Sequence, residues 1–327
     1  MKINLAELNG LILKALKKYG YTDEEAEVLQ SVLMYAQMRG NNQGIVKLIG
    51  KGIPRNVKGT PYEVVKETPV SALVNGNFTH AMVVMSGITD IAIGKAKKTG
   101  IAVCGNYNTA ESTGAIGYYV SKIAKEGLIG FAFSSAPFKT TAPFGSNEPM
   151  FCTNPLAYGI PTSNGEIVFD MTTSAIAYYG LIEAKTAGKQ LPDYYGYDSE
   201  GNETTDPASI MGGAIKTIAG HKGSGLAMLV QVLAGALVSA DSFNSESNNA
   251  GNFVMAIDPN LLRENEDFMN EVSSIMKRVK ESRKLSEVKE IMLPGERGNR
   301  MAQQVIDTGE IDIEDNLLNE LKKVVEN

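Results

Sequence analysis

Two helix-then-strand steps in the first half of the sequence constrain the fold most. The first is an amphipathic helix over Ala81–Lys98, which ends at Gly100 and precedes the apolar strand Ile101–Cys104. The second is a helix over 115–126 that precedes the strand Leu128–Phe133. Helices with one apolar face that alternate with short, wholly apolar strands are typical of a sheet buried under helices. The sequence therefore predicts an α/β protein.

Local signals predict further elements on both sides of these steps. Thr22 and Glu25 form a capping box at the start of a helix that should end near Met38. A tight turn at 163–165 separates two short apolar strands. The remaining expected elements are an amphipathic N-terminal helix, strands Leu156–Ile160 and Ile167–Phe169, a helix over 175–187, a deeply packed helix over 223–240, a polar linker over Asp241–Gly251, strands Phe253–Ile257 and Ile291–Leu293, and three charged C-terminal helices.

Composition and charge narrow the class of partner. The chain of 327 residues carries a formal net charge of −6 and has no dense cluster of lysine and arginine, so nothing predicts a nucleic-acid or anionic membrane surface. No run approaches the roughly 20 apolar residues that a membrane span requires, and the N-terminal helix is too interrupted by polar residues for a signal peptide. We expect a cytoplasmic protein whose partner is a small molecule.

Searches for general chemical motifs exclude several classes of site. Cys104 and Cys152 lie far apart in apolar stretches, which predicts two buried thiols, and no Cys/His cluster has metal-ligand spacing. The sequence has no Walker motif and no Gly-x-Ser-x-Gly. The segment Gly223-Ser224-Gly225 lacks the third glycine and the preceding strand of a dinucleotide fingerprint. A standard Rossmann site is therefore not expected, and neither is a metal.

Several short segments carry more information together than any one of them does alone. They are Met38-Arg39-Gly40, Gly114-Ala115-Ile116-Gly117-Tyr118-Tyr119, Thr153-Asn154-Pro155, Phe169-Asp170-Met171-Thr172, Thr204-Thr205-Asp206-Pro207, Lys222-Gly223-Ser224-Gly225-Leu226 and Pro294-Gly295-Glu296. In this order, across nearly the whole chain, they resemble the malate/L-lactate dehydrogenase family. That family includes ureidoglycolate dehydrogenase and Δ1-piperideine-2-carboxylate reductase, and it is unrelated to the Rossmann dehydrogenases.

The resemblance implies a fold and an assembly. It implies a non-Rossmann cofactor domain with a largely antiparallel or mixed sheet, helical regions from both chain ends, and a homodimer whose active cleft lies near the interface. It also implies NAD or NADP as the cofactor. The approximate domain division is a helical terminal region from 1–52 and 291–327, a small α/β region over 53–112, and a cofactor-binding domain over 113–290.

The resemblance carries over cofactor positions where the local match is good. Lys222 beside two glycines at a helix start would supply the cation and the close backbone amides that a pyrophosphate needs. Asp170 is also suited to cap the helix over 175–187, a role compatible with cofactor binding. The implied cofactor residues are Ser134 or Ser135, Asp170, Met171, Thr172, Lys222, Gly295, Glu296 and Arg297.

The sequence differs from the family at the positions where the resemblance implies substrate-binding and proton-transferring residues. The first family signature continues from Arg-Gly into Ser-His-Gly and a later arginine, whereas this chain has Asn42-Gln43-Gly44 and Lys47. The second signature places a proton-accepting histidine two residues before the glycine matched to Gly114, where this chain has Ser112. Both signature histidines and the arginine are therefore replaced. The chain's two histidines, His80 and His221, lie outside these positions and are expected to be structural.

Three interpretations follow from these replacements. In the first, another group transfers the proton: Glu111, with its pKa raised by burial, or Tyr118, Tyr119 or a water held by Gln43 and Ser112. In the second, the substrate needs no strong acid, as with an already protonated iminium. In the third, the chain is a catalytically inactive nucleotide-binding protein with a regulatory or scaffold role.

The preferred sequence-based interpretation is an NAD(P)-dependent oxidoreductase with a non-histidine proton donor. Its substrate would be a small polar 2-hydroxy or 2-keto acid, a ureidoglycolate-like compound or a cyclic imine. Lys47 offers a point charge, whereas an arginine would hold a carboxylate with two hydrogen bonds. The substrate of this chain can therefore differ from the usual 2-hydroxy acid of the family. The residues expected at the substrate end are Asn42, Gln43, Lys47, Glu111 and Ser112.

Overall fold

The computed structural model of the protein describes residues 1–241, 247 and 249–326. Its helices are α1 (Leu5–Lys18), α2 (Asp23–Met38), α3 (Ala81–Thr99), α4 (Gly117–Lys125), α5 (Tyr178–Thr186), α6 (Pro207–Gly212), α7 (His221–Ala234), α8 (Asn265–Lys280), α9 (Glu296–Thr308) and α10 (Asp315–Glu326). Its strands are β1 (Lys2–Asn4), β2 (Glu63–Thr68), β3 (Ser71–Asn75), β4 (Ile101–Thr109), β5 (Ile129–Ser135), β6 (Thr141–Ala142), β7 (Leu156–Thr162), β8 (Gly165–Met171), β9 (Gly196–Tyr197), β10 (Glu203–Thr204), β11 (Ala214–Lys216), β12 (Ala250–Ile257) and β13 (Glu310–Asp312). Most of the predicted Asp241–Gly251 linker lies outside the described residues.

A seven-stranded mixed sheet forms the centre of the fold, in the order β2-β3-β4-β12-β5-β7-β8. Strands β3 and β4 run parallel, and the other neighbouring pairs of this sheet are antiparallel. A doubly wound Rossmann sheet would be mostly parallel. The prediction of a non-Rossmann fold with a largely antiparallel or mixed sheet is therefore confirmed.

Helices cover both faces of this sheet. On one face, α3 and α4 bury side chains such as Ile88 and Val120 against Ala132 of β5 and Val254 of β12. On the other face, α7 packs against Phe133 and its neighbours on β5 and β12. The loop over 110–116, which connects β4 to α4, contains Ser112 and forms part of the candidate site.

The two chain ends come together in a helical layer. Strand β1 pairs antiparallel with β13, so that Ile3 lies opposite Ile311. Helix α1 packs against α2 and α10, with Leu8 and Leu321 fully buried. The predicted capping box is present, with Thr22 accepting from the Glu25 N–H at 3.2 Å, and α2 ends at Met38 as predicted. Helical regions from both chain ends are thus confirmed, whereas the finer domain division stays a prediction.

The predicted strand Ile291–Leu293 is wrong. These residues have no regular secondary structure and lead into the turn before α9, where the Leu293 N–H donates to the Glu296 carboxylate at 3.0 Å. The C-terminal strand is instead β13, which has the partner β1. Three apolar residues alone do not make a strand, because a strand also needs an edge with which to pair.

The predicted deep packing of the helix over 223–240 is also wrong. In α7 and the short 3-10 turn that follows it, Leu229 is 45% and Leu237 is 59% exposed. Val230 and Ala234 are the fully buried residues of α7 that pack onto the sheet. Leu226, Leu229 and Leu237 are exposed, whereas Leu233 is half-buried against the sheet.

The same helix is the one candidate membrane span in the described chain. The stretch His221–Val238 is long enough and apolar enough, at a mean hydropathy of 1.2, and 39% of it is buried. A helix packed on a sheet in a water-soluble protein can meet the same length and composition criteria, so this is weak evidence for a span.

A smaller unit lies beside the main sheet. Strands β10, β9, β11 and β6 form a four-stranded sheet, and Leu181 of α5, Ile210 of α6 and Ile215 of β11 share a small core. Both cysteines are free thiols; Cys104 is buried as predicted, whereas Cys152 is only half-buried. Within the described ranges, no group of three or more His, Cys, Asp or Glu side chains is placed to hold a metal ion.

Candidate functional site

A buried lysine joins the segment after α2 to the loop after β4. Lys47 lies in the 3-10 turn Ile45–Leu48 and is 4% exposed. Its Nζ donates a hydrogen bond to Ser112 Oγ at 3.2 Å and lies 4.1 Å from the centre of the Tyr179 ring. Among the residues described, no carboxylate forms a salt bridge with Lys47. The structure thus brings together two of the residues predicted for the substrate end.

The surroundings make this lysine a weaker base than usual. Burial lowers the pKa of Lys47 to about 8, and the negative charge of nearby Glu111 partly opposes that change. Removal from water disfavours the charged form of an amine. A group with a pKa near the working pH both gives up and accepts a proton readily. A pKa in this range is compatible with proton transfer by Lys47.

The Ser112 hydroxyl has a defined hydrogen-bond pattern. Its Oγ accepts from Lys47 and also from the Gly114 N–H at 3.2 Å. The hydroxyl hydrogen is then free to donate to a further acceptor. The preceding residue, Glu111, has a positive φ of 64° and an exposed side chain. The Glu111 interpretation of the sequence requires a buried carboxyl, which this exposure does not supply.

The two tyrosines named as alternatives are engaged in packing. The Tyr119 hydroxyl donates to the Thr113 carbonyl oxygen at 2.7 Å, and burial raises the pKa of this phenol well above its usual value. Tyr118 packs edge-on against Tyr35 and Tyr119. These contacts fit a structural role in holding the loop before α4.

A chain of polar contacts links the first signature segment to α5. The Asn42 Nδ2 group donates to Glu183 Oε2 at 3.3 Å, and the Gln43 Nε2 group donates to Asn42 Oδ1 at 3.2 Å. Glu183 and Tyr179 lie one turn apart on α5, so one face of this helix borders both Asn42 and Lys47. Sequence reasoning missed both α5 residues, because their only local signal was this four-residue spacing.

A cleft of about 440 Å³ opens beside Asn42, between the end of α2, the start of α4, strand β8 and the start of α9. A volume of this size suits a small organic ligand or part of a nucleotide. The cleft brings together four of the predicted site residues, namely Asn42, Asp170, Gly295 and Arg297. Other lining residues include Tyr35, Arg39, Ala115, Val168 and Asn299.

Asp170 is the titratable acid of this cleft. Its Oδ2 accepts from the Gly117 N–H at the start of α4, at 2.8 Å. Asp170 lines the cleft and is exposed to solvent in the single chain. Its surroundings in the cleft remove the carboxyl partly from water and raise its pKa to about 6, and the hydrogen bond from Gly117 acts in the opposite direction. The predicted capping of the helix over 175–187 is wrong, because Ala177 precedes α5 and Asp170 instead contacts α4.

The turn before α9 forms one wall of the cleft. Gly295 has a φ of +79°, and a Cβ there would lie 2.7 Å from the Val168 carbonyl oxygen. Glu296 does not line the cleft; it accepts from the Leu293 N–H and contacts Lys280 and Arg300, and these partners lower its pKa to about 2. Glu296 therefore holds the turn in place, while Arg297 lines the cleft.

The other predicted cofactor residues lie near the start of α7. Lys222 is in the first turn of this helix. Thr172 contacts Ser174, whose neighbour in an isolated β-bridge is Thr217, and the Thr217 hydroxyl donates to the Gly220 carbonyl just before α7. Met171 and Thr172 are thus connected to the segment that leads to Lys222.

Ser134 and Ser135 end strand β5 and point to opposite faces of the sheet. Ser135 is buried, and its Oγ finds no hydrogen-bond partner in the described part of the chain. Among the contacts of the described residues, none joins Ser134, Ser135 or Lys222 to the Lys47–Ser112 pair. The structure therefore places Lys47 against Ser112, and it brings Asn42 together with Asp170, Gly295 and Arg297 at the cleft. The described contacts do not connect the residues near the start of α7 to either group.

Known proteins resemble this chain over its whole length. The sequence profile of the malate/L-lactate dehydrogenase family matches residues 3–322. The chain is 30% identical over 344 residues to malate/(S)-sulfolactate dehydrogenase of Methanothermus fervidus, covering 100% of this chain and 98% of that protein. It is 32% identical over 295 residues to the ureidoglycolate dehydrogenase (NAD(+)) of Escherichia coli K12, covering 85% and 82%. The structure of sulfolactate dehydrogenase from Methanocaldococcus jannaschii matches with a TM-score of 0.86 at 28% identity, covering 100% and 97%.

Proposed function

The chain belongs to the malate/L-lactate dehydrogenase family, and on that premise we propose that it is an NAD(P)-dependent oxidoreductase in which Lys47 and Ser112 handle the proton. The substrate is a small polar compound of the 2-hydroxy or 2-keto acid, ureidoglycolate-like or cyclic imine class. The observation that carries this proposal is the Lys47–Ser112 hydrogen bond. By the resemblance to the family signatures, Ser112 replaces the proton-accepting histidine and Lys47 replaces the arginine.

Lys47 supplies the proton in the reducing direction. When bound, a nicotinamide would supply the hydride to the substrate carbon. The Lys47 ammonium would transfer one proton to the carbonyl oxygen. The product is a hydroxyl group, and the neutral amine then takes a proton from water. In the oxidising direction the neutral amine accepts the hydroxyl proton. Ser112 orients Nζ through their hydrogen bond and donates its own hydrogen to the same oxygen.

The residues present fit a dinucleotide. A pyrophosphate group favours cations and backbone N–H groups that it can approach closely. Arg297 and the Cβ-free Gly295 line the cleft, and Lys222 stands at the start of α7, a helix whose first turn also contains Gly223 and Gly225. These groups support an assignment in which Asp170, Met171, Thr172, Lys222 and the turn over 295–297 contribute to the cofactor site.

The exposed apolar face of α7 supports a homodimer. Leu226, Met228, Leu229 and Val232 are each more than a third exposed, and they lie on one 14-residue helix. A contiguous apolar face of this kind on a folded chain is typical of a subunit interface. We therefore infer that a second copy covers α7.

Turnover tests the proposal directly. NADH and NADPH oxidation is measured with a panel of 2-keto acids and cyclic imines, and reduction of NAD and NADP with malate, sulfolactate and ureidoglycolate. We expect turnover with at least one member of the panel and a strong preference for one cofactor. If a cofactor binds, as seen from a change in its fluorescence, and no compound turns over, the catalytically inactive alternative is correct.

A further inference from the structure

His80 is a buried histidine whose tautomer the structure fixes. It caps helix α3, where its Nδ1 accepts a hydrogen bond from the Met82 N–H at 3.2 Å. A ring nitrogen that accepts a hydrogen bond carries no hydrogen, so in the neutral ring the hydrogen is on Nε2. A second hydrogen on Nδ1 would point at the Met82 N–H. The side chain is therefore held as a neutral imidazole with an Nε2–H donor.

This donor is buried and has no partner among the residues that the structure describes. The residue is 4% exposed, and its Nε2 finds no hydrogen-bond acceptor among the described residues. Tyr21 packs edge-on against the imidazole, but its hydroxyl donates to the Ile53 carbonyl oxygen at 2.7 Å. Buried N–H groups almost always have an acceptor. The acceptor for Nε2–H is therefore expected to be a bound molecule.

The backbone places His80 next to the Lys47–Ser112 pair. His80 forms a β-bridge with Ala110, two residues before Ser112, and the Ala81 N–H donates to the Ala110 carbonyl at 2.7 Å. Burial, together with the positive charge of Lys47, lowers the pKa of His80 to about 3, so the ring stays neutral at working pH. The negative charge of Glu111 raises the pKa of both Tyr21 and Lys47, so Glu111 is near this corner, and Glu25 acts on Tyr21 in the same direction.

Three hydrogen-bond donors thus occupy one corner of the molecule. They are the Nε2–H of His80, the ammonium group of Lys47 and the hydroxyl hydrogen of Ser112, whose oxygen already accepts two N–H groups. Several hydrogen-bond donors together can bind an oxygen acceptor, and they stabilise most strongly an oxygen on which negative charge develops. A carbonyl oxygen gains such charge when hydride adds to its carbon.

We propose that His80 is a second donor to the reacting oxygen of the substrate, and that its Nε2–H polarises this oxygen while Lys47 delivers the proton. This inference rests on the proposed oxidoreductase function. A neutral imidazole stabilises a developing oxyanion without giving up its hydrogen. A histidine at the start of α3 would then interact with the reacting oxygen, in place of the histidines that the two family signatures contain.

Two substitutions separate this role from helix capping. His80→Asn keeps an acceptor for the Met82 N–H, since asparagine is a good N-cap residue, and it removes the donor at Nε2. His80→Gln places an amide N–H close to the Nε2 position and weakens the cap. We expect kcat/KM to fall about 10- to 100-fold in His80→Asn with its thermal midpoint nearly unchanged, and to stay within about threefold in His80→Gln despite a lower midpoint. If kcat/KM instead stays near the wild-type value in His80→Asn and falls in His80→Gln, His80 acts only as a helix cap and the proposal is overturned.

A binding measurement keeps the inference testable without turnover. Oxalate, a planar mimic of a 2-keto acid, is titrated by calorimetry into the wild type and both variants. We expect His80→Asn to bind oxalate about 10- to 100-fold more weakly and His80→Gln to bind it within about threefold of wild type. If no substrate turns over but this pattern holds, the proposed function fails and the donor assignment stands. Equal oxalate affinity in all three proteins, or no oxalate binding to wild type, overturns the assignment.

Discussion

The Nζ atom of Lys47 donates a hydrogen bond to Ser112 Oγ across 3.2 Å, although 65 positions separate these residues in the chain. The contact joins the two segments in which this sequence departs from its family's signatures. A buried ammonium without a salt-bridging carboxylate costs folding free energy. Its presence at this point is therefore better explained by chemistry than by stability.

Substitution of Lys47 tests its role as the proton donor. Lys47→Met keeps the length of the side chain and removes the titratable amine, so we expect kcat to fall roughly 100- to 10,000-fold. Folding should be preserved, because an apolar side chain suits this buried position. The matched control is Lys51→Met on the exposed surface of the same segment, which should retain full activity. Wild-type turnover by Lys47→Met would exclude the lysine as the donor.

The pH dependence of turnover follows from the pKa of Lys47. Burial lowers this pKa to about 8, so the ammonium form needed for reduction is lost as the pH rises through about 8. We expect the rate of reduction to fall through that window and the rate of oxidation to rise. Glu111→Gln removes a charge that raises the Lys47 pKa, so its inflection should move to lower pH with activity retained. Complete loss of activity in Glu111→Gln at every pH would instead identify Glu111 as the acid.

Gly295 is predicted to be intolerant of any side chain. Gly295→Ala combines a φ of +79° with a Cβ only 2.7 Å from the Val168 carbonyl oxygen. We expect a loss of roughly 2–4 kcal/mol in the free energy of unfolding, together with weaker cofactor binding. Gly309→Ala is the control, because it has a φ of +67° and open space around its Cβ, and should cost only about 1–2 kcal/mol. Denaturant unfolding of both variants measures the difference; equal losses would mean that the Val168 contact relaxes freely.

Ionisation of Asp170 is predicted to lower the free energy of unfolding. Burial raises the pKa of its carboxyl from 3.8 to about 6, so the folded state favours the protonated form. The resulting gain in the free energy of unfolding is complete below about pH 3.8 and is lost as the pH rises through about 6. Asp170→Asn should therefore raise the thermal midpoint at pH 8 by roughly 1–3 °C and leave it unchanged at pH 4. The effect is modest, since the carboxyl stays accessible to water. Asp193→Asn, at an exposed position, should show no such difference, and a lower midpoint for Asp170→Asn at pH 8 would contradict the assignment.

The α7 surface provides a test of the homodimer. Leu229 is 45% exposed in a single chain, and Leu229→Glu would place a charge within an apolar interface. We expect the wild type to sediment as a dimer and Leu229→Glu as a monomer. Val57→Glu, at a position that is 97% exposed and outside α7, should leave the dimer intact. A wild-type protein that sediments as a monomer at micromolar concentration would rule the dimer out.

Local signals in the sequence predicted well wherever the cause of structure is local. The Thr22–Glu25 capping box fixed the start of α2, and Gly100 ended α3 in the left-handed conformation expected of a helix C-terminus. The departures from the family signatures also pointed to Lys47 and Ser112, and the structure places these residues in contact.

Features that depend on distant partners were not predictable in this way. The face of α7 that carries Leu229 looks apolar from the sequence whether it meets a sheet or remains exposed. The orphaned Nε2 of His80 and the approach of Tyr179 to Lys47 depend on how separate segments fold together. A strand over Ile291–Leu293 was expected from composition alone, and in the structure these residues pair with none of the described strands.

The pairing of β1 with β13 joins two segments that lie far apart in the chain. The Met1 amino group also donates to the Ile313 carbonyl oxygen at 2.7 Å. A contact between residues so distant in sequence closes a long loop, and forming it costs conformational entropy. Helix α1 has α2 as a neighbour close in sequence, whereas its contact with α10 depends on this long-range closure. Opening of the β1–β13 pair would therefore expose apolar surface of both α1 and α10, and with it a site for aggregation.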